Sequence, residues 1–128
     1  MKISFDSIKP VYLQIAEVIE DDIIYGKLIE GEQSYSQLMI AKELNVNPAT
    51  AAKGINILVQ KGILEKQRGL SMIVAQGALE MILKERKNEN FMALVEHLVR
   101  EAEKIKLSEQ DVIRIIQKYY QEGGRSNE

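Results

Sequence analysis

Apolar residues in the first part of the chain recur every three or four positions, which is the spacing of one face of a helix. The first such stretch follows Pro10 and ends at Gly26. Proline is favoured in the first turn of a helix, and glycine readily takes the left-handed conformation that ends one. We therefore predict a first helix between these residues, followed by a connection over residues 27–33. Its apolar face carries Tyr12, Ile15, Ala16, Ile19 and Ile23.

Two shorter helices joined by a tight turn are predicted next. The second helix spans about residues 36–44, with either Ser34 or Ser36 as its N-cap. The third spans about residues 48–61, because Asn47 is a good N-cap and a proline follows it in the first helical position. The inner face of the third helix carries Ala51, Ala52, Ile55, Leu58 and Val59, and its outer face carries Thr50, Lys53, Asn56 and Gln60.

A β-hairpin is predicted after the third helix. Residues 63–67 and 72–75 have the composition of two short strands, and residues 68–71 join them with a glycine at the tip. Three helices followed by a hairpin form a winged helix. The expected fold class of the whole chain is therefore mainly α with a small β-hairpin, a winged helix-turn-helix followed by a helical tail.

The tail has a purely helical pattern from Gly77 onwards. Seven polar residues, 84–90, interrupt its apolar stripe and are either an exposed part of one long helix or a break capped by Asn90. Ser108 and Asp111 have the spacing of a capping box at the start of a last helix. One helix hairpin beside a small domain cannot bury the whole stripe, so we expect the tail to pair two copies of the chain. The expected dimerisation residues are Phe91, Leu94, Val95, Leu98, Ala102, Ile105, Ile116 and Tyr119.

Charge is segregated along the chain, although the net charge is only −2. Residues 42–69 contain five basic and two acidic side chains, which leaves a local charge of +3, while an acidic cluster lies near residues 17–22. Such segregation can steer a polyanion to one face. The basic residues of this segment are Lys42, Lys53, Lys61, Lys66 and Arg68.

Several classes of function are disfavoured by composition. The chain has no cysteine and a single histidine, His97, so we expect neither disulfides nor a metal site nor a cofactor. No nucleophile–base pair or phosphate-binding glycine loop is recognisable, which argues against an enzyme. The first residues contain no apolar signal segment, and no apolar run is long enough for a membrane span. We expect a cytoplasmic protein that does not interact with membranes.

The chain resembles the GntR family of winged-helix repressors over roughly residues 8–75. The matching residues agree in order and spacing, and many short pieces in register make the resemblance specific. They are Pro10-Val-Tyr-Leu-Gln-Ile-Ala16, Gly26-Lys-Leu28, Gly31, Ser36, Ala41-Lys-Glu-Leu44, Val46-Asn47, Thr50, Leu58, Gly62-Ile-Leu64 and Arg68-Gly69. The short helical tail is similar to that of the YtrA-like subfamily.

The resemblance implies a DNA-binding domain over residues 1–76 and a helical dimerisation tail over residues 77–128. The partners would be a second copy of the chain and a double-stranded DNA operator, roughly palindromic, with no small-molecule effector identified. The third helix, about residues 48–61, would enter the major groove, and the wing, about residues 68–71, the minor groove. Such proteins often repress a neighbouring operon, in this subfamily often a transporter operon. The expected DNA-binding residues are Ser36, Asn47, Ala49, Thr50, Lys53, Arg68 and Gly69.

The chain departs from the family pattern at several basic positions. Leu38 stands where the family commonly has a DNA-contacting arginine, and Pro48 and Ala52 occupy two further arginine positions. Lys53 is the basic residue that remains there, and it could donate to guanine. Leu38 and Met39 are either additional core or an apolar surface for a partner. The alternative hypothesis is a winged-helix protein-interaction module with weakened DNA binding.

Overall fold

The computed structural model describes residues 1–69 and 72–126 and divides into two compact units, Met1–Glu85 and Arg86–Glu128. The division lies after the fourth helix, whereas the sequence places a boundary after residue 76. The elements in chain order are α1 (Val11–Ile24), α2 (Gln37–Leu44), α3 (Pro48–Gln60), β1 (Leu64–Glu65), β2 (Ile73–Val74), α4 (Ala78–Glu85), a π-helical turn (Arg86–Phe91), α5 (Met92–Lys104) and α6 (Glu109–Ser126).

The core of the first unit lies between the first three helices, as their apolar spacing predicts. α3 packs against both α1 and α2. Ile15, Ile19, Ile40 and Leu58 are fully buried between these helices. A mainly helical domain with one small hairpin results, and the predicted fold class is confirmed.

The fourth helix belongs to the first unit because two independent contacts hold it there. α4 packs against α1 and buries Ala78 and Ile82 in the same core. The Glu30 carboxylate accepts hydrogen bonds from the backbone N–H groups of Gly77 and Leu79, at 2.7 and 3.1 Å. A carboxylate at a helix N-terminus satisfies donors that have no partner within the helix. The segment 27–33, which the sequence presents only as a connection, therefore fixes the start of α4.

The hairpin is shorter than predicted. β1 and β2 are antiparallel, with Leu64 opposite Val74 and Glu65 opposite Ile73. The segment before α2 lies along the other side of β2, where the N–H of Val74 donates to Glu32 at 2.9 Å and that of Gly31 donates to Val74 at 2.7 Å. The hairpin is thereby anchored to the helical core. Of the predicted wing, Arg68 and Gly69 lie within the described residues, whereas Leu70 and Ser71 lie outside them.

The second unit begins with a π-helical turn at the polar stretch that interrupts the apolar stripe. This turn, Arg86–Phe91, is helical throughout, so Asn90 does not cap a break. The predicted capping box is confirmed. The Ser108 N–H donates to the Asp111 carboxylate at 2.9 Å, and the Asp111 N–H donates to the Ser108 hydroxyl at 3.1 Å. Hydrogen bonding to the Asp111 carboxylate by the backbone and the side chain of Ser108, with a weaker contribution from Arg114, lowers the pKa of Asp111.

The apolar stripe of the second unit is largely exposed. Leu94 is 65% exposed, whereas Ala102 is buried at 6% and is the exception among the predicted dimerisation residues. The exposed predicted dimerisation residues are Phe91, Leu94, Val95, Leu98, Ile105, Ile116 and Tyr119.

Within residues 1–69 and 72–126, no helix is long and apolar enough to cross a membrane.

Candidate nucleic-acid interface

The start of α2 presents polar groups to solvent. Ser36 is the N-cap, and its hydroxyl accepts a hydrogen bond from the Met39 N–H at 3.1 Å. This decides between the two predicted caps, since Ser34 is buried. The first backbone N–H groups of a helix have no partner within the helix, so an exposed start such as this can bind a phosphate.

The turn between α2 and α3 is fixed by its asparagines. Asn45 takes the left-handed conformation, with φ of 54°, which asparagine tolerates better than most residues. Asn47 caps α3 by accepting from the Ala49 N–H at 2.8 Å, and Pro48 occupies the first turn. The Gln37 amide donates to the Pro48 carbonyl at 3.0 Å and so ties the start of α2 to the start of α3. The two helix starts are held together on one exposed face.

A groove of about 500 Å³ lies on this face of the first unit. Donor and acceptor groups come from α2, from α3 and from the hairpin, while Ala49 and Ala52 contribute only small side chains. Side chains of this kind can hydrogen-bond to base edges and phosphates, and small residues allow close approach. The groove is lined by Ser36, Gln37, Ala49, Ala52, Lys53, Asn56 and Lys66, among others.

Lys53 extends from the groove towards α1. Its Nζ atom lies 4.0 Å from the centroid of the Tyr12 ring, in a cation–π contact. Thr50, which the sequence assigns to the same outer face, is half-buried and is not part of the groove lining. The predicted DNA-binding residues of α3 are therefore not equally accessible to a ligand.

The cations of the first unit do not all contribute to this face. Lys53, Lys66 and Arg68 are exposed. The Lys61 ammonium, by contrast, lies 2.7 Å from the Glu85 carboxylate and 3.9 Å from the buried Glu20 carboxylate. Its charge is therefore largely balanced by these carboxylates, and the two lysines that line the groove are Lys53 and Lys66.

The residue before the α2 cap anchors this helix to α1. The Tyr35 hydroxyl donates a hydrogen bond to the buried Asp22 carboxylate. Burial, together with this hydrogen bond and the charges of Asp22 and Glu43, raises the pKa of Tyr35 from 10.0 to about 12. The neutral hydroxyl is therefore the form that the fold stabilises.

Tyr35→Phe is expected to lower the free energy of unfolding by about 1.5–3 kcal/mol at neutral pH, because it removes a hydrogen bond to a buried carboxylate. In the wild-type chain this contribution is fully present below pH 10 and is lost as the pH rises towards 12, since the unfolded tyrosine ionises first. Urea unfolding of both proteins across this range tests the prediction. If the free energy of unfolding fell equally steeply between pH 10 and 12 in the two proteins, the prediction would be contradicted.

The structure brings Ser36, Ala49 and Lys53 together at the groove, and it uses Asn47 as a cap. Arg68 and Gly69 lie apart from them at the hairpin tip, where Gly69 has a φ of 73°. The site residues predicted from the sequence do not include Gln37, Tyr12 or Lys66. Asn56 and Lys66 are polar residues next to predicted DNA-binding residues, so the sequence could have indicated them as site residues. The roles of Tyr12 and Gln37 depend on contacts between different helices, which the sequence does not reveal.

Three helices, with α2 and α3 forming a helix-turn-helix, and an antiparallel hairpin define a winged helix-turn-helix DNA-binding protein. The HTH-type transcriptional regulator YhcF of Bacillus subtilis (strain 168) is 30% identical over 120 residues, which cover 94% of this chain and 97% of the relative. A GntR family regulator from Listeria monocytogenes superposes with a TM-score of 0.73 at 26% identity, covering 89% of this chain and 98% of that one. The chain belongs to the GntR family of transcriptional regulators, which are not enzymes.

A further solved structure matches the first part of the chain. The DNA-binding domain of AraR, determined in complex with operator ORX1, has a TM-score of 0.53 and 26% identity, covering 59% of this chain and 93% of that one. None of the protein-family models matches the chain. The YtrA-like subfamily remains a prediction.

Proposed function

We propose that the chain is a homodimeric repressor that binds a roughly palindromic double-stranded DNA operator. The proposal rests on the exposed groove beside α3, where several groups that can bind DNA lie together. They are the starts of α2 and α3, the ammonium groups of Lys53 and Lys66, and the side-chain amides of Gln37 and Asn56. The AraR domain that shares this fold was determined with operator DNA. In this proposal the first unit binds DNA and the second unit pairs two copies.

The outer face of α3 enters the major groove. A recognition helix contacts base edges mainly through its N-terminal residues. Ala49 and the Thr50 methyl group can pack on thymine methyl groups, while Ser36 and Asn47 lie at helix starts that suit phosphates. Arg68 and Gly69, exposed at the hairpin tip, approach the adjacent minor groove. Arginine-poor contacts of this kind favour an operator with few strictly required G·C pairs.

The tail pairs the two copies through its exposed apolar stripe. A contiguous apolar surface is rare on a monomer and is typical of an interface. Burying it against a second copy gives a two-fold dimer with two recognition helices, which reads two half-sites about one turn of DNA apart. The resemblance implies repression of a neighbouring operon, which in the YtrA-like subfamily is often a transporter operon. A palindrome upstream of such an operon, beside the gene for this chain, would support it.

A second candidate function is a protein-interaction module with weakened DNA binding. The observation that favours it is an apolar pair at the start of α2. Leu38 is 72% exposed and Met39 is 45% exposed, so they are not additional core. Leu38 stands where the family commonly has an arginine that contacts DNA.

Binding to sheared DNA at low and moderate salt separates the two functions. A DNA-binding protein releases counterions from phosphates, so its affinity falls steeply with salt concentration. We expect measurable binding at low salt and a large loss at moderate salt. Negligible binding at both salt concentrations would contradict the regulator and favour the protein-interaction module.

Arg68→Ala is expected to lower operator affinity roughly tenfold, because a charged contact to DNA is removed. The melting temperature should be unchanged, since an exposed charge contributes little to stability. Fluorescence anisotropy with operator DNA, alongside thermal unfolding, measures both. Unchanged affinity would remove the hairpin tip from the DNA interface.

A further inference from the structure

The contact between Lys53 and Tyr12 places the lysine charge on one flank of α3. Tyr12 is a half-buried residue in the first turn of α1. α1 and α3 touch beside it, since a Cβ atom added at Gly54 would lie only 2.8 Å from the Tyr12 carbonyl oxygen. Lys53 lines the groove together with Ala49, Ala52 and Asn56, and its ammonium, 4.0 Å from the ring centroid, lies on the side of the groove towards α1.

We propose that Tyr12 is a positioning residue that holds the Lys53 ammonium on the α1 flank of α3, where it binds a backbone phosphate of DNA. The inference rests on the proposed function. It assigns Lys53 to the phosphate backbone, and not to a guanine edge as the sequence alone suggests.

Three properties of the Lys53–Tyr12 contact support this assignment. An aromatic face attracts an ammonium group but leaves N–H donors on its other side for a phosphate oxygen. Lys53 also keeps its charge for DNA, because within residues 1–69 and 72–126 it forms no ion pair, unlike Lys61. Finally, a lysine side chain loses considerable rotamer entropy when it is fixed, and a ring that fixes it beforehand lowers the cost at binding.

The test measures the affinity of the full-length dimer for its operator and for unrelated duplex DNA over a range of salt concentrations. Lys53→Met should weaken both complexes by the same factor, roughly tenfold, and lower the salt slope by about 1, because a phosphate contact carries no sequence information. Tyr12→Leu should weaken both roughly two- to fivefold, the size of an exposed cation–π contact. Tyr12→Phe keeps the aromatic face and should bind like the wild type.

A double-mutant cycle separates positioning from a general structural effect. If the ring acts through the lysine, Tyr12→Leu should cause no further loss in the Lys53→Met background. A full Tyr12→Leu loss in that background would overturn the proposal, as would a Lys53→Met loss confined to the operator. Should Tyr12→Leu fail to fold, a sequence-independent loss and lower salt slope in Lys53→Met, with wild-type binding by Lys53→Arg, support the phosphate assignment. A wild-type chain that binds no DNA at low salt would instead contradict the proposed function itself.

Discussion

A full-length chain carrying Leu98→Asp is expected to sediment as a monomer and to bind its operator about 10²–10⁴-fold less tightly than the wild type. Leu98 lies on α5 within the exposed apolar stripe. An aspartate there would have to lose its hydration in the dimer without a partner charge, which is strongly unfavourable. A monomer can occupy one half-site only, so it loses the gain in effective concentration that links the two binding events.

His97→Asp is the matched control for this prediction. It introduces the same side chain one position earlier on the same exposed helix, outside the apolar stripe. We expect this variant to remain dimeric with nearly unchanged operator affinity. Leu98→Asp protein that stays dimeric in analytical ultracentrifugation would show that the interface lies elsewhere, and the tail assignment would be wrong.

The second large effect is expected at the contact between α1 and α3. Gly54→Ala should lower the free energy of unfolding by about 1–2 kcal/mol, because overpacking of a core outweighs the gain of roughly 1 kcal/mol in helix propensity. The new Cβ would lie 2.8 Å from both the Tyr12 carbonyl oxygen and Ile15 Cγ2. Ile15 is fully buried and β-branched, so neither neighbour can move away by a simple side-chain rotation.

Gly123→Ala is the matched control for the stability change. It makes the same substitution inside a helix, and within the described residues nothing lies within 4 Å of the added Cβ. We expect this variant to be as stable as the wild type or slightly more stable. Chemical denaturation of the two variants gives the comparison. An unchanged or raised stability of Gly54→Ala would show that the two helices can separate without cost.

The first unit follows closely from local sequence signals. Pro10, Asn47 and the left-handed Gly26 and Gly62 mark helix boundaries, since proline, asparagine and glycine have strong and different backbone preferences. The apolar spacing then identifies the buried faces. Most of the secondary structure could therefore be predicted without any knowledge of contacts between distant residues.

The remaining features depend on contacts between residues distant in sequence. The Glu30 carboxylate caps α4 from 47 positions away, so the end of the first unit could not be located from periodicity alone. The helical pattern of α3 continues through Gly54. The need for a glycine at this position becomes apparent only from its close contact with α1. The same holds for the site, because the Tyr12 ring reaches Lys53 only after the helices have packed.

Selection of binding sites from random duplex DNA by the whole chain shows whether the protein is a sequence-specific dimeric DNA-binding regulator. We predict enrichment of a roughly palindromic site, with half-sites about one helical turn apart and few invariant G·C pairs. Thymine methyl contacts and DNA shape would carry most of its specificity. A site dominated by invariant guanines would show that the wrong side chains have been placed in the groove, and the absence of any enriched sequence would contradict sequence-specific DNA binding.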